Sequence, residues 1–130
     1  MSIDRDPVTA DRAPNAAGPY SHAVRSGGFL FLSGQTPLDP ATGKLVEGGI
    51  GDQTRRCLDN LRAVCEAAGA QLSDAVRCGI YVTDMGTFKA VNEAYGAYFD
   101  DAPPARSTIG VASLPLGADV EIDAILAVPD

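Results

Sequence analysis

The sequence predicts an α+β domain with the element order ββαβαββ, and three observations carry that reading. Apolar residues alternate with period two in five short segments, they recur every three and four residues in two others, and turn-forming residues separate the two patterns. At 130 residues, 45% hydrophobic and 21% charged, the chain has the size and composition of one globular domain with a sizeable core.

Taken in order, residues 1–12 read as a flexible N-terminal arm, with the domain proper over 13–130. Two extended runs, Tyr20 to Arg25 and Gly28 to Gly34, are separated by Ser26-Gly27, the spacing of a hairpin. A turn-rich excursion follows, PLDPATGKLVEGG, with reversals at Asp39-Pro40 and Thr42-Gly43. From Ile50 the period changes. Ile50, Thr54, Cys57, Leu58, Leu61, Val64, Cys65 and Ala68 make one apolar face of a helix, and Gly69 is placed to end it. Val76, Cys78, Ile80 and Val82 then alternate with Arg77, Gly79, Tyr81 and Thr83 as in a strand. Asp84 suits the cap of a second helix that buries Phe88, Val91, Tyr95 and Tyr98 or Phe99. Arg106 to Ala112 and Asp119 to Val128 are the last strands, joined through Leu114-Pro115-Leu116-Gly117. The two helices then pack on one face of a mixed sheet.

The other face carries its own signal. Phe29 to Leu32 are apolar on both sides of the strand, and so is the stretch from Ala124 to Val128. A sheet face left in water would alternate more cleanly. The chain has no further element to cover that face, which points to another subunit and hence an oligomer.

Composition excludes several classes. A net charge of −7 with no basic cluster disfavours nucleic acid as a partner. There is no run of about twenty apolar residues for a bilayer and no apolar core of a signal peptide near the N-terminus, so a cytoplasmic location is expected. Cys57 and Cys65 fall on the helix stripe and Cys78 in a strand, where they read as small buried hydrophobes. With one histidine and no CxxC or HExxH spacing, no metal site is expected.

Arg106 stands out. It is the last Lys or Arg of the chain, in PPARSTIGVASLP, with apolar neighbours that suggest a segment entering a core. A guanidinium is costly to bury unless an anion meets it, and its planar fork fits a carboxylate. The partner is either an internal acid such as Glu121 or the carboxylate of a small ligand. On adjacent strands, Arg106 and Glu121 would approach each other and keep the acid ionised.

The segments APNAAGPYSHAV, FLFLSGQTPLDPATGKL, CLDNLRAVCEAAG, PPARSTIGVASLP and VEIDAILAV resemble, in the same order, the reactive-intermediate deaminases, the Rid or YjgF-like family. The resemblance runs from about Ala13 to Val128. It implies a chorismate-mutase-like fold and a homotrimer whose sheets line a central barrel, with a cleft between each pair of subunits. It also implies hydrolysis of 2-enamine or 2-imino acids, such as 2-iminopropanoate and 2-iminobutanoate, to 2-oxo acids and ammonia, without cofactor. On the matching positions, Arg106 would bind the substrate carboxylate and Glu121 would position the water. Tyr20, Ser33, Gly34, Asn92 and Thr108 would line the ligand, Thr108 standing where several members have a cysteine. His22, on the same strand face as Tyr20, reads as structural. A deaminase for a larger, aminomuconate-like enamine and a non-catalytic trimer that binds small carboxylates are the competing readings. The ribonuclease activity attached to some members fits poorly with a charge of −7.

Overall fold

The computed structural model describes residues 3–129, in which six strands and two helices follow the order β1 (Asp6–Val8), β2 (Ala23–Ser26), β3 (Phe29–Gln35), α1 (Ile50–Ala67), β4 (Ala75–Val82), α2 (Phe88–Gly96), β5 (Ala105–Gly110) and β6 (Val120–Ala127). They form one sheet of order β1-β2-β3-β6-β4-β5, antiparallel throughout except for the parallel pair β4 and β5. A parallel pair needs a crossover, and α2 supplies it.

The hairpin between β2 and β3 turns one residue later than the sequence suggests. Gly27 and Gly28 form the loop, both with positive φ (58° and 83°), the backbone that a tight turn matched to the sheet's twist requires. Ser26, paired with Phe29, belongs to the strand. The expected flexible arm needs a larger correction. Its residues 1 and 2 lie outside the described residues, but Asp6–Val8 pairs with the edge of β2, and Ala10 behind it is buried. A three-residue edge strand containing a proline has no alternation to betray it.

Packing follows the helical stripe. Cys57, Leu58, Leu61, Val64 and Cys65 of α1 are fully buried against Leu30, Ile80, Ile122 and Leu126 of the sheet. In β4 the expected alternation fails at its start. Ala75 and Arg77 face consecutive residues of β6, Leu126 and Ile125, so Val76 is bulged out and 43% exposed. The sheet face away from the helices has no cover from the described chain: Phe29, Phe31 and Ile109 are 44%, 45% and 50% exposed. No helix among the described residues is long and apolar enough to cross a membrane.

Candidate functional site

A bulge near the end of β3 builds the first half of the site. Leu32 pairs with Ala124 and Gln35 with Ile122, so β3 takes three steps where β6 takes two, and the extra residue falls at Ser33-Gly34. Ser33 is tied on both sides: its N–H donates to the His22 carbonyl (3.0 Å) and its Oγ to the Ser21 carbonyl (2.7 Å). Gly34 has no side chain, and a Cβ there would run into the carboxylate of Glu121. The carboxylate therefore lies directly over the Gly34 backbone. Around it opens a cleft of about 300 Å³ bounded by Pro14, Asn15, Tyr20, Ser33, Thr36, Leu38 and Leu116, among others. Tyr20 is half exposed, and its hydroxyl accepts from the Ala17 N–H at 3.1 Å.

Electrostatics shift Glu121 toward its protonated form. Burial, and then the charge of Asp123, raise its carboxyl above the usual carboxylate range. Asp123 is itself held by the Gly79 N–H and the Tyr81 hydroxyl, each at 3.0 Å.

Two further features set the walls. His22 is buried, its Nδ1 accepting from the Ala10 N–H (2.9 Å) and its Nε2 reaching the Pro14 carbonyl at 2.7 Å. A backbone N–H can only donate and a carbonyl only accept, so the ring is neutral with its proton on Nε2. It latches the segment that carries Pro14 and Asn15. Opposite, Leu116 adopts φ 62°, the left-handed region, where a side chain beyond glycine costs about 1 kcal/mol. That backbone aims an exposed leucine at the rim of the cleft.

Arg106 sits elsewhere. It pairs with Cys78 of β4 on the helix side of the sheet, and its Nη2 donates to Asn92 Oδ1 of α2 at 2.8 Å. The guanidinium lies over the Tyr95 ring at 4.9 Å and the Phe88 ring at 5.7 Å. No acid stands within ion-pair distance of it among the described residues. Two residues on, the Oγ1 of Thr108 is buried with no partner. Phe88, expected in the core, is 39% exposed because it flanks this arginine.

The expected proximity of Arg106 and Glu121 is overturned. They do not lie on adjacent strands: β4 separates β5 from β6. Arg106 is level with Cys78 and Glu121 with Tyr81, positions of opposite parity, so the two side chains leave opposite faces of the sheet. With two strand spacings between them they are roughly 10 Å apart across the sheet before that divergence is counted. Glu121 is accordingly not held ionised by the arginine, and its pKa moves up instead of down. One chain brings together Tyr20, Ser33, Gly34 and Glu121 as one group, and Asn92, Arg106 and Thr108 as another.

The aromatic bed of Arg106 and the cleft rim at Pro115-Leu116 were not visible as site features in the sequence. The only hint was the Leu-Pro-Leu-Gly turn. The cysteines are buried, and desolvation pushes the Cys65 thiol up to about 12 and that of Cys57 higher still. They are poor nucleophiles. Among the described residues no cluster of His, Cys, Asp and Glu is arranged to hold a metal.

Residues 10–128 match the family profile described as Endoribonuclease L-PSP. Protein DfrA of Myxococcus xanthus is 53% identical over 123 residues, which cover 93% of this chain and 94% of that protein. The 2-iminobutanoate/2-iminopropanoate deaminase of Mus musculus is 42% identical over 124 residues, 95% of this chain and 92% of that one. The crystal structure of E. coli TdcF with bound serine matches with a TM-score of 0.90 at 36% identity, covering 95% and 99% of the two chains.

Proposed function

Because the chain belongs to the endoribonuclease L-PSP family, the YjgF-like reactive-intermediate deaminases, we propose that it hydrolyses 2-imino acids to 2-oxo acids and ammonia. The observation that carries this reading is Arg106: a guanidinium with no acid partner among the described residues, oriented by Asn92 and backed by Tyr95. It lies next to a buried hydroxyl, Thr108, that also lacks a partner. A desolvated donor left unpaired costs about 1–3 kcal/mol, and a ligand carboxylate would satisfy both groups at once.

The substrate carboxylate binds Arg106 and fixes the adjacent C=N carbon. Glu121 holds a water against that carbon and takes its proton as the C–O bond forms, while the C=N electron pair moves to nitrogen. That proton passes to nitrogen to give the carbinolamine. Glu121 then relays the hydroxyl proton to the same nitrogen, and the oxygen electron pair forms the ketone C=O as the C–N bond breaks and ammonia leaves. A carboxyl with a raised pKa suits both the taking and the giving of that proton. The imine is already activated, so no cofactor enters the scheme.

The two residue groups act on one substrate only if they come from different subunits. We therefore read the protein as a homotrimer, with the uncovered face bearing Phe29, Phe31 and Ile109 buried between copies. One subunit's Arg106 edge would then close the neighbour's Glu121 cleft, and the protein would work in the cytoplasm. Ribonuclease chemistry, despite the family's description, fits poorly with a charge of −7. The serine bound to TdcF favours one alternative, a carboxylate-binding trimer without catalysis. Steady-state ammonia release from 2-iminopropanoate, generated in place by a serine dehydratase, separates the two. Acceleration over the spontaneous rate is expected; binding of 2-oxo acids without acceleration would establish the alternative.

A further inference from the structure

Asn60 is a polar side chain in the middle of the apolar face of α1, and it is fully buried. A carboxamide in that position is costly unless its hydrogen-bonding groups are met. They are met by the wall of the cleft. Asn60 Nδ2 donates to the carbonyls of Thr36 (3.2 Å) and Leu38 (2.9 Å), and its Oδ1 accepts from Arg56 Nε at 3.1 Å. Thr36 and Leu38 both line the cleft. Between them the chain folds tightly about Pro37: the Leu38 N–H donates to the Thr36 carbonyl at 2.8 Å, and the Val46 N–H to the Pro37 carbonyl at 2.9 Å. The helix thus holds two carbonyls of the cleft-lining loop through a side chain that does not itself line the cleft.

We propose that Asn60 is a positioning residue for the site. It touches no substrate, but it fixes the wall formed by Thr36 and Leu38 in register with the Ser33-Gly34 bulge and Glu121. Only a carboxamide fits the role: a carboxylate would face two carbonyl oxygens, and an aliphatic group has no donor. Arg56 sets the amide orientation by occupying its oxygen. This assignment rests on the proposed imine hydrolysis for its kinetic consequence, though not for its structural one.

The test takes the assembled full-length protein with Asn60→Leu, which keeps the branching and heavy-atom count and removes both donors, and with Arg56→Ala, which removes only the bond that orients the amide. Hydrogen exchange over residues 36–46 should quicken at least about tenfold in Asn60→Leu while β6 exchanges as before. KM for 2-iminopropanoate should rise about tenfold with kcat within about twofold, because a displaced wall weakens binding of substrate and transition state alike. Wild-type exchange over 36–46, or quickened exchange with KM and the affinity for 2-oxobutanoate unchanged, would overturn the assignment. If Asn60→Leu fails to fold, Arg56→Ala decides by the same readouts: a smaller shift in the same direction supports the proposal and none refutes it. A wild-type protein inert toward imines sinks only the catalytic reading, since 2-oxobutanoate affinity then replaces KM. One that neither turns over nor binds takes down both.

Discussion

Arg106 and Glu121 separate a ligand-binding group from a structural one by where the damage of mutation appears. Among the described residues Arg106 has Asn92 and two rings for neighbours and no acid within ion-pair distance. Arg106→Ala should therefore leave the melting temperature nearly unchanged and lower kcat/KM by about a hundredfold, the loss of roughly 3 kcal/mol of charge-assisted carboxylate binding. Arg106→Lys should also be poor, since an ammonium lacks the planar fork. An unstable variant with normal specific activity would refute the assignment. For Glu121 the sign follows from its raised pKa. Folding holds the proton more tightly than the unfolded chain does, so the ionised form carries a penalty that is absent below the unfolded pKa and fully present above the folded one. Glu121→Gln should lose activity yet melt above the wild type at neutral pH, the advantage shrinking as the pH falls through the raised pKa and vanishing below the ordinary glutamate range. Wild-type activity should fall over the raised pKa as the base is protonated. Calorimetry and a pH–rate profile check the two halves; a Glu121→Gln protein that melts lower at pH 7 would contradict the first.

Elements were legible to the degree that a period marks them. The stripe from Ile50 to Ala68 predicts α1 nearly to its ends, because half a helix surface must be apolar to cover a sheet. The alternation of Cys78, Ile80 and Val82 predicts β4, but the bulge that expels Val76 depends on pairing with β6, which no local pattern records. The same holds for β1, for the bulge at Ser33-Gly34 that places the cleft, and for the strand order that divides Arg106 from Glu121. The motif residues were identifiable one by one; their grouping was not. The short turn at Pro115–Gly117 offers a prediction at this scale, for Leu116 holds a left-handed backbone at the cleft rim. Asparagine tolerates that conformation better than leucine, so Leu116→Asn should hold or raise stability by up to about 1 kcal/mol. It removes an apolar surface from the rim, so KM for imines with larger apolar side chains should rise. Denaturant melts and substrate series test the pair. A less stable variant with unchanged KM would show that Leu116 packs against a neighbour and does not face substrate.

The whole molecule has to reconcile an open sheet face with a site split across that sheet. Phe29, Phe31 and Ile109 leave a substantial apolar surface in water on a lone chain. Association through this face would remove that exposure and offer a route by which Arg106 of one copy meets Glu121 of the next. Light scattering should give three times the chain mass. Trimerisation alone does not show that the site is shared, and a mixing experiment does. Arg106→Ala and Glu121→Gln trimers, each inactive, are combined, unfolded and refolded together in equal amounts. If the cleft is shared, each cleft of a cyclic trimer would take Arg106 from one subunit and Glu121 from its neighbour. A cleft is intact only where a Glu121→Gln subunit supplies the arginine and an Arg106→Ala subunit the glutamate, which random assembly gives in about a quarter of clefts. Refolded mixtures should thus regain about a quarter of wild-type activity per cleft, whereas each variant refolded alone regains none. If both residues served one substrate from within a single chain, no subunit would carry both and mixing would restore nothing. Since one chain puts them on opposite faces of its own sheet, recovery is the expected result, and its absence in a mixed trimer would refute the shared cleft.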